Sequence, residues 1–397
     1  MNLEKVEEIA NAVLYEGYML YPYRASSVKN RQRFNWGALA PKAYSDAQNG
    51  TEAWEMQTEC LVTGDAKTEL NIKLRFLHLT DREIGRVEAP TAEVPTEFEF
   101  VPSLEINGRL LQAWQEAVER DVDLPAILPN ESETLNFDFS FPATREVEPL
   151  RNAEEKVAGV IVRTQSPIQG EVRVRIVDYY ALFSPRIDHP VRETRPPLLK
   201  PGGELERSET RPPLLKPGGE LGKKRDEERG LFKITVQIRN KTPFENAEEK
   251  SREDALLSSI VSTHTILGVA GGEFVSLLEP PDELREAAES CQNIKTYPIL
   301  VGEEGDRDCM LSSPIILYDY PQIAPESAGD LFDGAEIDEI LTLRIMTLTD
   351  EEKREMRGID DRARKILERT EMMPEEQLLK MHGAMRGLNK AKKANYG

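Results

Sequence analysis

The stretch Glu69-Leu-Asn-Ile-Lys-Leu-Arg-Phe-Leu-His78 decides the fold class, because Leu70, Ile72, Leu74 and Phe76 alternate with Glu69, Asn71, Lys73 and Arg75. A period of two places one set of side chains on a dry face and the other on a wet face, the pattern of a half-buried strand. The same alternation recurs in Trp54, Met56 and Val62, in Phe98 and Phe100, and in Phe137, Phe139 and Phe141. It returns in Val172, Val174 and Ile176, then in Phe232, Ile234, Val236 and Ile238. Most of the first 240 residues therefore reads as antiparallel sheet with one face buried.

Outward from these strands the period changes to that of helices. Leu3, Val6, Ile9, Ala10, Val13 and Leu14 form one apolar stripe on a first helix that ends near Gly17. Spacing predicts a helix through Leu110, Leu111, Trp114 and Val118, and another from about Glu253 to Leu267, with Gly268 to Gly272 as its stop. Short strands are expected at Tyr297 to Val301 and at Ile315 to Tyr318. Asp333 and Glu336 then form a helix start signal ahead of the stripe Ile337, Ile340, Leu341, Ile345 and Leu348. Thr349 and Glu352 repeat a capping box, and Pro374 opens a last polar helix. The class is α+β: a mainly antiparallel β-sheet core with an N-terminal helix, interspersed helices and a helical C-terminal tail.

Residues 193 to 205 and 209 to 221 both read ETRPPLLKPGGEL, a tandem duplication. Its prolines and paired glycines disfavour a stacked solenoid. The expected organisation is an N-terminal β-rich part over 1–189 and a flexible Pro/Gly-rich insertion over 190–229. A β/α part of the same core over 230–348 and a helical tail over 349–397 follow.

Charge and composition limit the function classes. With 51 basic against 71 acidic residues the net charge is −20, which disfavours nucleic acid and anionic lipid as partners. Three scattered cysteines, Cys60, Cys291 and Cys309, match neither a disulfide framework nor a zinc module and point to a reducing cytoplasm. No basic and apolar leader opens the chain and no apolar run approaches the ~18 residues of a membrane span, so neither export nor insertion is expected. No metal site and no cofactor is predicted: phosphate-loop, nucleophile-elbow and zinc-helix motifs are all missing from the chain.

The four histidines are scattered. His78 keeps the parity of Phe76 and His264 falls beside Ile260 and Val261, so both read as core histidines, whereas His189 and His382 read as surface residues. Cys60 shares the apolar parity of Met56 and reads as a small buried hydrophobe. Cys309 follows the acids of GEEGDRDC, which would raise a thiol pKa and oppose a nucleophile.

One local feature departs from the acidic background. From Gly17 to Ser45 there is no acid, while Arg24, Lys29, Arg31, Arg33 and Lys42 interleave with Tyr18, Tyr21, Tyr23, Phe34 and Trp36, just after Tyr15. Aromatics and arginine are enriched at binding hot spots, so Tyr15, Tyr18, Tyr21, Tyr23, Arg24, Lys29, Arg31, Arg33 and Trp36 are candidate partner-binding residues. The alternative is that the aromatics pin the first helix to the sheet and the cations pair with acids.

The segment VLYEGYMLYPYRASSVKNRQRFNWG, Val13 to Gly37, together with GDLFDGAEIDEILTLRIMTLTDEEKREMR, Gly329 to Arg357, resembles uncharacterised proteins encoded beside bacterial nickel-iron hydrogenase genes, notably of the actinobacterial type. The 190–229 insertion departs from that pattern. No catalytic residues are defined for the family, so none carry over. The resemblance implies a non-enzymatic accessory protein for hydrogenase assembly or maturation, binding a hydrogenase subunit or another accessory protein. Other readings are an enzyme whose site brings together scattered residues such as Cys309 and His264, a general scaffold protein, or a metallochaperone, the last disfavoured by the lack of His- or Cys-rich tracts.

Overall fold

The computed structural model describes residues 3–18, 24, 27, 30, 36–65, 67–94, 96–128, 134–180, 229–322 and 338–374. The duplicated repeat, the Asp333/Glu336 signal and the chain from Gln377 onward lie outside them.

Two antiparallel sheets face each other across the main core. The smaller joins β1 (Glu55–Gly64), β7 (Leu135–Phe141), β10 (Ile168–Asp178), β11 (Gly230–Asn240) and β13 (Glu273–Phe274) in the order β13-β1-β11-β10-β7. The larger is organised by β2 (Glu69–Thr91), which is paired along both edges. On one edge lie β12 (Val261–Ala270) and β9 (Val157–Gln165), and on the other β6 (Trp114–Asp123) and β3 (Glu99–Val101). β14 (Tyr297–Leu300) and β15 (Cys309–Ser313) extend the sheet beyond β12, and β8 (Thr144–Arg151) extends it beyond β9. A separate hairpin pairs β4 (Ser103–Ile106) with β5 (Arg109–Gln112). β10 and β11 pair antiparallel across the long 181–228 segment.

The alternation decides who meets whom. Leu70, Ile72, Leu74 and Phe76 of β2 pack with Met56, Cys60 and Val62 of β1, Val172 to Ile176 of β10 and Ile234 to Ile238 of β11. The far face of the larger sheet is also covered. α1 (Leu3–Leu14) lays Val6, Ile9 and Ala10 on Ile266, Ile299 and Leu311. α5 (Asp338–Met346), α6 (Asp350–Ile359) and α7 (Asp361–Glu371) lay Ile345, Met356, Ile359, Ile366 and Leu367 on Leu77, Leu79 and Trp114. Thr349 and Glu352 form the expected capping box at the start of α6, with Thr349 N–H donating to Glu352 Oε2 at 2.8 Å. The short helices α2 (Lys42–Ala47), α3 (Arg252–Leu256) and α4 (Arg285–Glu289) sit in connections. Among the described residues no helix is long and apolar enough to cross a membrane.

Four expectations are corrected. The segment around Leu110 to Val118 is strand, because Asn107 and Gly108, both at positive φ, make a two-residue hairpin turn from β4 into β5, and β6 then pairs with β2 over ten positions. The helix expected from Glu253 to Leu267 stops at Leu256, and β12 follows. Nine of the ten β12 residues are buried, since α1 covers one face and the core the other, so no two-residue alternation marks it. Gly268 to Gly272 is accordingly the end of β12 and its turn into β13, with Gly271 at φ +74°. Finally, the strand near the C-terminal acids is Cys309–Ser313, and 315–318 is irregular chain after Pro314, which leaves Ile316 and Tyr318 exposed.

Candidate functional site

The residues of the N-terminal basic and aromatic stretch divide between core and surface. Tyr15 and Tyr18 are buried and stand edge-to-face, 5.5 Å between ring centres. Tyr15 donates its hydroxyl to Glu119 Oε1 at 3.0 Å, and that carboxylate also takes Arg75 at 3.0 Å and Arg362 at 2.7 Å. The Arg362 guanidinium lies 3.4 Å from the Tyr15 ring centre. Burial and then Glu119 push the Tyr15 phenol pKa up, against the opposing Arg362 charge, so it stays a donor. Burial opposes the charge of Glu119, but its hydrogen bonds from Tyr15 and Arg75 and the Arg362 charge hold its carboxyl below the usual range. Tyr18 donates to Asp360, and Trp114 Nε1 donates to the Tyr18 hydroxyl at 3.3 Å. Arg24 pairs at 2.9 Å with Glu352, the acid of the α6 capping box. These three residues tie α1 and its continuation to the sheet and the C-terminal helices. Tyr21, Tyr23, Lys29, Arg31 and Arg33 lie outside the described residues.

Among the described candidates Trp36 is the most exposed, at 44%. The chain just after it is held by hydrogen bonds: Gly37 O accepts from Thr263 N at 3.0 Å, and Leu39 O accepts from Ile260 N at 3.1 Å and from the buried Asn240 side chain at 2.8 Å. Gly37 sits at φ +61°, where a Cβ would lie 2.7 Å from the Pro314 ring, so only glycine fits the turn. Trp36, Tyr297 and Pro314 wall a recess of about 220 Å³ floored by Gly37 to Leu39, with Glu52 and Lys295 at its rim. Tyr297 is 45% exposed, and Ile316 and Tyr318 continue outward from Pro314.

A second, larger cleft of about 600 Å³ lies over β2, β6, β8 and β9 beside the start of α7. Sequence reasoning passed over it. Cross-strand register aligns its floor: Thr144 stands opposite Gln165, Glu146 opposite Arg163, Arg82 opposite Arg163, and Thr80 opposite Glu116. Arg82, buried, donates to Glu116 at 2.8 Å and to the carbonyls of Gln112 and Gly358 at 2.7 and 3.2 Å. Arg163 donates to Glu116 at 2.8 Å and Glu148 at 2.6 Å. Burial opposes its charge, but the two carboxylates outweigh burial and raise its pKa. The signal for this cleft was in β2 itself, where the apolar parity of Leu70 to Phe76 turns polar at Thr80 and Arg82.

The scattered nucleophile and base do not meet. β12 pairs with β15 so that Gly268 stands opposite Cys309 while Thr265 stands opposite Ser312, which sets Cys309 four strand positions, roughly 13 Å, from the His264 level. His264 instead donates Nδ1–H to the Ser262 carbonyl at 2.7 Å and accepts at Nε2 from the Ser313 hydroxyl at 3.2 Å. This resembles a nucleophile and base in contact, but both residues are fully buried, and burial, then Arg75, draws the imidazole pKa down to about 4. His78 is likewise buried, beside Phe141, with Nε2 2.8 Å from the Ser166 carbonyl. Cys60 is enclosed in the main core. Among the described residues no group of three or more His, Cys, Asp or Glu side chains forms a metal-ligand cluster.

No family model matches the chain, and no curated protein matches it.

Proposed function

We propose that this chain is a non-enzymatic accessory protein for a nickel-iron hydrogenase, and that it binds a hydrogenase subunit or another accessory protein through the surface around Trp36. The hydrogenase assignment rests on the resemblance carried by Val13 to Gly37 and Gly329 to Arg357. The binding mode rests on one observation, the recess between Trp36 and Tyr297. At about 220 Å³ it is smaller than the ~300–1,000 Å³ of small-molecule sites and of a size to take one protruding side chain. Two exposed aromatic rings supply contact area at little entropic cost, and the exposed Lys295, beside a Glu52 already paired with Arg252, would orient an acidic group of the partner. Tyr21, Tyr23, Lys29, Arg31 and Arg33, which precede Trp36 in the chain, remain candidates for the same complex on the sequence alone.

The test is affinity purification of tagged full-length protein from cells producing a nickel-iron hydrogenase. A hydrogenase subunit or its accessory protein should co-purify, and Trp36→Ala or Tyr297→Ala should reduce its recovery about tenfold, the scale of a single hot-spot residue. Arg31→Glu combined with Arg33→Glu should weaken the same complex. Recovery without any hydrogenase-linked protein removes the assignment, and undiminished recovery with Trp36→Ala removes the surface.

A further inference from the structure

We infer that the polar cleft over β2, β6, β8 and β9 binds a small zwitterionic molecule of the amino-acid or short-peptide class, its carboxylate held at Arg109. The cleft is distinct from the Trp36 recess, and the inference is independent of the hydrogenase reading. Its volume, about 600 Å³, lies within the ~300–1,000 Å³ range of small-molecule sites.

The floor asks for a ligand. Thr80 and Gln165 both line the cleft and are each only 5% exposed. Gln165 spends its oxygen on Arg120 at 3.1 Å and on Thr144 at 3.3 Å, but its Nε2 has no hydrogen-bond partner among the described residues, and neither has Thr80 Oγ1. Buried polar atoms are normally paired, and in these two cleft-lining residues the unpaired atoms are closed to solvent, so a bound molecule that brings hydrogen-bond acceptors reaches them as the Thr80 and Gln165 side chains turn toward it.

The charges say which molecule. Arg82 and Arg163 are neutralised by Glu116 and Glu148, so the floor is a fixed polar ladder without a cationic surplus, which is wrong for a nucleotide or polyphosphate. Near the start of α7, Arg364 is paired with Asp361 and Arg362 with Glu119. Arg109 and Glu146, both exposed and both lining the cleft, have no ion pair among the described residues. Asp360 spends its two oxygens on Tyr18 and Ala363, so one available cation and one available anion above a neutral floor match a carboxylate and an ammonium on one small molecule.

Titration calorimetry on the full chain tests this with the twenty free L-amino acids and the tripeptides Gly-Gly-Gly and Glu-Gly-Gly as probes, and with acetate, ethylamine and inorganic phosphate as single-charge controls. At least one zwitterion should bind with a Kd below about 1 mM, and each control about tenfold more weakly. Arg109→Ala and Glu146→Ala, both at exposed positions, should each weaken binding about tenfold. Thr80→Val should weaken it about fivefold without lowering the melting temperature, because the substitution keeps the shape and removes only the hydroxyl. The inference is overturned if no probe binds at about 10 mM, if phosphate or acetate alone binds as well, or if Arg109→Ala retains full affinity.

Discussion

Tyr18 and Asp360 are 342 positions apart, and the Tyr18 hydroxyl donates to Asp360 Oδ2 while Asp360 Oδ1 accepts from Ala363 N–H at 2.7 Å and so caps α7. One carboxylate thus joins the N-terminal segment to the C-terminal helices. Asp360→Ala removes a helix cap and strands a buried hydroxyl, and should cost about 2–3 kcal/mol in urea unfolding. Tyr18→Phe leaves the cap in place and should cost about 1 kcal/mol. Equal losses from the two variants would show that the cap contributes nothing.

His78 and His264 make the fold sensitive to acid. Burial is the main cause that lowers each pKa from 6.5 to about 4. Both groups are therefore neutral in the folded state at pH values where the unfolded chain already binds the proton. Their contribution is complete above pH 6.5 and is lost as pH falls toward 4, on the order of 3 kcal/mol for each. The midpoint of urea unfolding should fall steeply between pH 6.5 and 4, and His78→Gln should flatten that fall. An unchanged slope in the variant would remove His78 from the account.

Gly358 marks a close approach of α6 to the β4-β5 hairpin, since a Cβ there would stand 2.4 Å from the Leu110 carbonyl oxygen. Gly358→Ala must separate backbone from backbone and should cost about 1–3 kcal/mol by thermal unfolding. A variant as stable as the parent would mean that the contact yields freely.

Thiol chemistry reports on the core. Cys60 and Cys309 are buried, and burial raises the Cys60 pKa. Cys291 is partly accessible, but burial, the largest cause, brings its pKa up to about 11. In native protein at pH 8, Ellman's reagent should find one slowly reacting thiol, and three at once in denaturant. Fast native reaction of two or more thiols would contradict the packing of β1 and β15.

The strands with one wet face were legible in the sequence, because β2, β7, β10 and β11 show their burial as alternation. β12 was not, because α1 and the core bury it from both sides and its apolar run then reads as helix. The β4-β5 hairpin was missed although Asn107-Gly108 is a strong turn signal, since Leu110, Leu111, Trp114 and Val118 happen to fall at helical spacing. The same limit governed the candidate site. Composition gathered Tyr15, Tyr18, Arg24 and Trp36 into one surface, whereas the fates of the first three depend on Glu119, Asp360 and Glu352, partners more than a hundred positions away.

The pairing of β10 with β11 places Asp178 opposite Phe232, one strand spacing apart, although some fifty residues separate them in the chain. Closing a loop of that length costs only about 2 kcal/mol more than closing a tight turn. The register of β10 on β11 therefore depends little on how many residues join them, and the identical tandem copies from Glu193 to Leu221 fall within that span. A reporter domain inserted between Asp178 and Phe232 should accordingly leave the sheet pairing intact.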